Sequence, residues 1–218
     1  MIKFDHTPLS FNSRRVWVML LEKGIEFEEA IVNLNGDQYQ PEFLQLNPFH
    51  HIPVLVDEDF TLIESLAMMD YLDAKYPDPS FTPKNPRSLG IMRMLELVIM
   101  NELLPATVPL LKRFAGVLDE PDESLKQSHE KLDTILNFYQ DYLGDRDYLV
   151  GNEITQADFV AGTAIPSLEI LGFSLESYPK IQAWCDRLQS RESWQKTAPK
   201  PEMVEAAMSG IKSRVAKM

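Results

Sequence analysis

The sequence predicts an α+β N-terminal domain with the element order βαβαββα, followed by an all-helical C-terminal domain. Three observations lead there. Strand-length apolar alternations and helical apolar stripes interleave as far as about Tyr76. Pro77, Pro79, Pro83 and Pro86 then crowd a stretch that neither a helix nor a central strand tolerates. Beyond it every periodic segment has helical spacing. At 218 residues the chain has room for two modest domains, placed at residues 1–77 and 87–218 with a Pro-rich linker over 78–86.

The elements follow in order. Ile2 and Phe4 alternate as a strand, Pro8 and a Ser/Asn cluster make a loop, and a dense apolar helix from Val16 to Leu21 stops at Lys23-Gly24. A second strand spans about Phe27 to Val32. A polar loop with Gly36 leads to a short helix, Pro41-Glu42-Phe43-Leu44, and then to two strands around Val54-Leu55-Val56 and Thr61-Leu62-Ile63. Leu66, Met69, Leu72 and Tyr76 recur at spacings of three or four, so a helix from Ser65 to about Tyr76 closes the domain.

In the second domain, Leu125, Leu132, Leu136, Tyr139 and Leu143 share one face and stop at Gly144. His129 lies in that stripe and reads as a core-edge imidazole rather than a metal ligand, because no partner ligand shares its face. Thr155-Gln156-Ala157-Asp158 matches a capping box. Ile181, Trp184 and Leu188 mark a later helix, and the tail from Pro201 carries a weaker helical pattern. Pro105 and Pro109 are expected to bend the helix they interrupt.

Composition narrows the function. The net charge of -12 disfavours nucleic acid and anionic membrane surfaces as partners. Residues 1–7 lack an apolar signal core and no segment has membrane-spanning length, so a cytoplasmic protein is expected. The single cysteine, Cys185, rules out an internal disulfide and sits where nothing would activate it. There is no metal-like Cys/His spacing, no Walker loop and no Gly-x-Gly-x-x-Gly, so no metal site is expected.

The richest stretch is Asn47-Pro48-Phe49-His50-His51-Ile52-Pro53-Val54, with Glu64-Ser65 beyond it. An apolar residue before Pro53 and a strand after it put an X-Pro bond at the mouth of a strand, where a cis bond fits and a backbone edge stays free. Glu64 and Ser65 start a helix, whose N–H groups and dipole hold a carboxylate. A ligand with an amide backbone and a terminal carboxylate suits both halves, and glutathione is one. A βαβ half, a ββα half and an apolar-Pro turn before the third strand make a thioredoxin-like layout. Its redox cysteine positions here hold Ser10 and Ser13, so dithiol exchange is unavailable and the chain must act on a thiol that it binds. A free thiol of pKa ~8.5 is only slightly ionised at neutral pH, and a serine hydroxyl at a helix N-terminus favours the thiolate. Ser10 is the first candidate for that donor and Ser13 the second, with helix capping as the competing role, most strongly at Ser13.

These residues resemble the cytosolic glutathione S-transferases, specifically the serine-type group that includes phi, theta and many bacterial enzymes. The matching pieces are Ser10 to Val16, Glu22-Lys23-Gly24-Ile25, Pro41 to Leu44, Asn47-Pro48 through Ile52-Pro53, Glu64-Ser65, Tyr71-Leu72 to Tyr76-Pro77, and the Thr155-x-Ala157-Asp158 box. The resemblance implies the glutathione-transferase fold, glutathione as co-substrate with no prosthetic group, and conjugation of its thiolate to small hydrophobic electrophiles in detoxification. It implies Ser10 as thiol activator, a cis Pro53, Ile52 pairing its backbone with the cysteinyl moiety, and Glu64 and Ser65 holding the ammonium and carboxylate of the γ-glutamyl end. It also implies a homodimer, to which Arg14 and Arg15 are assigned either as contacts or as solvated residues.

The chain departs from that pattern at His50-His51, where the family commonly has Gly followed by Lys, Arg or Gln. If His51 contacts the glycine carboxylate it donates from a neutral ring, or more strongly from a cation. Gln38 is a second candidate for that carboxylate. Leu9, Phe11, Met92, Ile99, Met100 and Leu103 are candidate liners of the electrophile pocket, with helix packing as the competing role. Two alternatives stand beside transferase activity. One is a non-catalytic interaction module, and the other is glutathione-dependent peroxidase, isomerase or dehalogenase chemistry.

Overall fold

The computed structural model describes residues 1–33, 36–116, 122–200 and 202–204. The described residues divide into two compact units, one made of Met1–Ser80 with Glu192–Lys200 and the other built on Phe81–Arg191. The break after Ser80 falls inside the Pro-rich linker.

The first unit contains β1 (Ile2–His6), α1 (Phe11–Glu22), β2 (Phe27–Ile31), α2 (Pro41–Leu46), β3 (Val54–Asp57), β4 (Phe60–Ile63) and α3 (Ser65–Lys75), with a 3₁₀ turn at Asp37–Tyr39 before α2. The βαβαββα order is the one read from the sequence. Strand order in the sheet is β2-β1-β3-β4. The crossover through α1 makes β1 and β2 parallel, whereas β3 runs antiparallel to both β1 and β4. The two central strands are covered on both faces: Phe4, Val54 and Leu55 are fully buried. The outer strands keep exposed positions such as Phe60 and Ile31.

α1 buries Val16, Val18, Met19 and Leu20 and ends at Gly24, whose φ of 62° provides the left-handed exit that a side chain resists. The buried Lys23 ammonium pairs with Asp73 at 2.7 Å and donates to the carbonyls of Tyr76 (2.7 Å) and Pro79 (2.6 Å), tying the end of α1 to the end of α3. Removing one partner of such a buried pair typically costs about 3–5 kcal/mol.

In the second unit, α4 (Pro86–Val98) runs through a π-helical turn, Ile99–Leu103, into α5 (Leu104–Ala106) and then α6 (Val108–Ala115). The axis bends by 44° across Thr107. Pro105 and Pro109 lack the N–H groups that a straight helix would use, which is the bend expected from them. α7 (Asp122–Leu143) buries Leu125, Leu132, Leu136, Tyr139 and Leu143, while His129 is exposed and its ring rests on Phe173 at 5.2 Å. Every residue of α8 (Gln156–Ala164) is buried, so it is the central helix of this unit. The capping box is present: the Asp158 carboxylate accepts from the Thr155 N–H (2.8 Å) and hydroxyl (3.0 Å), and also from the Leu149 N–H (3.0 Å) and Trp184 Nε1 (2.9 Å). α9 (Ser167–Ile170) and α10 (Pro179–Gln189) complete the unit, with Ile181, Trp184 and Leu188 inward. Cys185 is buried, and burial pushes its thiol up, in keeping with an inert role.

Two readings need correction. α11 (Glu192–Thr197), placed by the sequence with the helical domain, belongs to the first unit. Trp194 is buried, Arg14 donates to the Trp194 carbonyl and the Thr197 hydroxyl at 3.4 Å each, and the Ser193 hydroxyl donates to Glu22. Of the two arginines read as solvated or as dimer contacts, Arg14 is accordingly half-buried and Arg15 is not solvated. Burial lowers Arg14 to about 10, and Arg15 is fully buried with Nε donating to the Phe11 carbonyl. The helical tail expected from Pro201 lies outside the described residues except for 202–204, which are helical. Among the described residues no single helix is long and apolar enough to cross a membrane.

Candidate active site

A cleft of about 380 Å³ opens in the first unit. Six residues singled out in the sequence meet there: Gln38, His51, Ile52, Pro53, Glu64 and Ser65. Asn12, Asn47 and His50 complete its lining.

The wall before β3 is built by Asn47. Its amide donates to the His51 carbonyl at 2.8 Å and its Oδ1 accepts from the Phe49 N–H at 3.0 Å, closing a side-chain turn around Pro48 to His51. His50 sits in that turn at φ 50°, the left-handed conformation that glycine takes without strain and that histidine enters more readily than most residues. This is the position at which the serine-type pattern commonly carries glycine. The rings of Tyr39, His50 and His51 follow one another at 5.0 and 5.5 Å. The Ile52–Pro53 bond is cis. The β3 ladder begins at Val54, so the main-chain groups of Ile52 lie beyond the strand register, beside the cleft.

Glu64 joins β4 to α3 at φ 72°, a conformation uncommon for a side-chain-bearing residue and characteristic of functional sites. It brings Ser65, only 3% exposed, to the first position of an eleven-residue helix, where hydroxyl and N–H donors coincide. Gln38 comes from the 3₁₀ turn and is 8% exposed. Its Oε1 accepts from the Gly36 N–H at 3.2 Å, which leaves its amide donors for the cleft.

Asn12, in the first turn of α1, received no role from the sequence. Its Oδ1 is buried and has no hydrogen-bond partner, an arrangement that costs stability unless a ligand supplies the donor. Ser10 is the N-cap of α1, half-buried, and its Oγ accepts from the Ser13 N–H at 3.3 Å. That bond uses a lone pair and leaves the hydroxyl proton to donate. Ser13 is fully buried, and its hydroxyl accepts from the Thr7 N–H at 3.5 Å. Capping therefore belongs to Ser10, the reverse of the weighting given by the sequence, and Ser13 lies fully buried behind it in the first turn of α1.

The candidate electrophile liners separate by burial. Met92, Ile99 and Leu103 are 0%, 0% and 1% exposed, so they are packing residues of the helical unit. Met100, Leu9 and Phe11 are half-buried and keep exposed apolar surface. Among the described residues no group of His, Cys, Asp and Glu is arranged to hold a metal ion.

Comparison with known proteins bears on this geometry. Residues 5–80 match the family model described as "Glutathione S-transferase, N-terminal domain" and residues 98–192 match "Glutathione S-transferase, C-terminal domain". The chain is 32% identical over 215 residues to glutathione S-transferase F10 of Arabidopsis thaliana, covering 92% of this chain and 98% of that one. It is 29% identical over 180 residues to glutathione S-transferase D7 of Drosophila melanogaster, covering 81% and 79%. Among solved structures, glutathione transferase F7 from Populus trichocarpa superposes with a TM-score of 0.80 at 27% identity, covering 91% of this chain and 98% of that one.

Proposed function

The chain belongs to the glutathione S-transferase family, and from that premise we propose how its own residues bind glutathione and activate its sulfur. The observation that carries the proposal is the convergence of Glu64, Ser65 and the cis Ile52–Pro53 turn on one cleft that also receives Asn12 from the first turn of α1.

The Glu64 carboxylate takes the ammonium of the γ-glutamyl residue, while the Ser65 hydroxyl and the first N–H groups of α3 take its carboxylate. The main chain of Ile52 pairs with the cysteinyl amide, which directs the thiol toward the start of α1. There the Ser10 hydroxyl, already fixed by the bond that it accepts from Ser13, donates to the sulfur and stabilises the thiolate, aided by the positive end of the α1 dipole. The Asn12 Oδ1 takes a donor from the bound thiol peptide. The thiolate then attacks a small apolar electrophile directly, forming the carbon–sulfur bond as the leaving group departs or the acceptor is protonated. No covalent enzyme intermediate is needed. Leu9 and Phe11 are the residues of the first unit proposed to meet the electrophile, and the active species is proposed to be a homodimer.

Calorimetric titration with glutathione, followed by conjugation assays on a panel of electrophiles, tests this reading. Glu64→Gln loses the ion pair to the ammonium and is expected to bind glutathione about tenfold more weakly. Glutathione binding unchanged in Glu64→Gln, or absent from the unsubstituted protein, overturns it. Sedimentation at the mass of a single chain overturns the dimer.

A further inference from the structure

Among the described residues lining the cleft, Glu64 is the only carboxylate and there is no lysine or arginine. Glutathione brings two carboxylates. In the reading above, Ser65 and the N-terminus of α3 receive one of them. The side chains left for the glycine end are Gln38, His50 and His51, and their hydrogen-bonding inventory differs from that of a cation.

A lysine or arginine is donor-only and matches a carboxylate, which is acceptor-only. A neutral imidazole presents one N–H and one acceptor nitrogen, and a pair of imidazoles therefore offers both kinds of partner. Gln38 adds two N–H donors, held in place because its Oε1 is occupied by the Gly36 N–H and the residue as a whole is only 8% exposed. A carboxamide, with one acceptor and two donors, can use every element of this set, whereas a carboxylate uses the donors alone. Charge works in the same direction. Glu64 and the net charge of -12 oppose a second anion, and no cationic side chain among the described residues lining the cleft compensates.

We infer that the cleft accepts γ-glutamyl-cysteinyl thiols whose C-terminal carboxylate is replaced by a neutral carboxamide about as well as it accepts glutathione itself. The inference rests on the transferase reading and deepens it by naming a wider class of thiol substrate. Where a lysine or arginine holds the carboxylate, the charge-assisted bond is about twice as strong as a neutral one, and the carboxamide is disfavoured by about tenfold. Here that discrimination is absent, because the neutral donors bind either group.

The test compares kcat/KM for glutathione and for its glycinamide analogue at pH 7.5, with one fixed electrophile and the full chain. The expected result is a ratio within about threefold of unity in the unsubstituted protein, and a ratio shifted toward glutathione by more than about threefold in His51→Lys. A carboxamide disfavoured by more than about threefold in the unsubstituted protein overturns the inference, as does a ratio in His51→Lys that stays within that factor of the starting one. The inference fails alone if glutathione is turned over and the carboxamide is not. Turnover of neither thiol overturns the transferase reading beneath it.

Discussion

Replacing Ser10 by alanine separates the capping role that its hydroxyl has in the structure from the thiol-activating role proposed for the same group. As N-cap, Oγ accepts a single bond from the Ser13 N–H at 3.3 Å, at a half-buried position at the start of a twelve-residue helix. Loss of such a cap costs about 1 kcal/mol, or roughly 2–4 °C in Tm for a chain of this size. In its proposed role as thiol activator, the same group would give a hydrogen bond to a charged sulfur, worth about 1.5–3 kcal/mol, which corresponds to about one to two pKa units on the bound thiol. The stability loss is therefore small and the kinetic loss large. With glutathione saturating, Ser10→Ala is expected to move the acid limb of the pH profile of kcat/KM for the electrophile upward toward ~8.5. Rates would fall about ten- to a hundredfold at pH 6.5 and converge on those of the unsubstituted protein at high pH, where the thiol ionises unaided. Ser10→Asp provides the control. Aspartate caps a helix as well as serine does, so Tm is retained, but its carboxylate repels the thiolate, and the rate at pH 6.5 falls below that of Ser10→Ala. A Ser10→Ala profile that superposes on the original at every pH refutes the assignment. So does a Ser10→Asp variant of undiminished rate.

Two further outcomes follow from buried groups. Asp158→Ala leaves the N–H groups of Leu149, Thr155 and Trp184 without their acceptor in a fully buried site. At about 1–3 kcal/mol for each unsatisfied donor this removes much of a typical folding margin of about 5–15 kcal/mol; a thermal melt within a few degrees of the original contradicts it. His6 is fully buried between Phe4 and Trp17, and burial holds its imidazole below its usual value of 6.5 although Nε2 contacts Glu29 at 2.9 Å. The unfolded chain then binds the proton first. Stability is fully present above pH 6.5 and falls as pH drops below it toward the depressed folded value. His6→Phe is expected to flatten denaturant-measured stability between pH 7 and 5, and a slope equal to that of the unsubstituted protein counts against the buried neutral ring.

The strands and long helices were legible because each carries its period in apolar residues, and the proline cluster overlaps the residue at which the first segment of the first unit ends, Ser80. The cleft was legible because Ile52-Pro53 and Glu64-Ser65 are chemically unusual neighbours of a strand and a helix start. The capping assignment was not. The first turn of α1 is polar, so its periodicity becomes visible only at Val16, and the phase of the helix start decides whether Ser10 or Ser13 is the cap. Asn12 escaped notice for a related reason: an orphaned acceptor is a property of the surroundings, not of residue type. Apolar spacing likewise marked Met92, Ile99 and Leu103 without distinguishing packing from pocket. The placement of α11 depends on Arg14 and Glu22, more than 170 residues away in sequence, which no local pattern reports.

That placement bears on how the protein can be recombined. The chain leaves the first unit after Ser80 and returns to it at Glu192, so its modules are not consecutive in sequence. A chimera joined at the Pro-rich linker alone would set α1 of one parent against α11 of the other, pairing an arginine and a glutamate with carbonyl and hydroxyl partners that had not evolved beside them. A transplant meant to carry the thiol-binding half intact has to take two segments, Met1–Ser80 and Glu192–Lys200, as a single heritable piece.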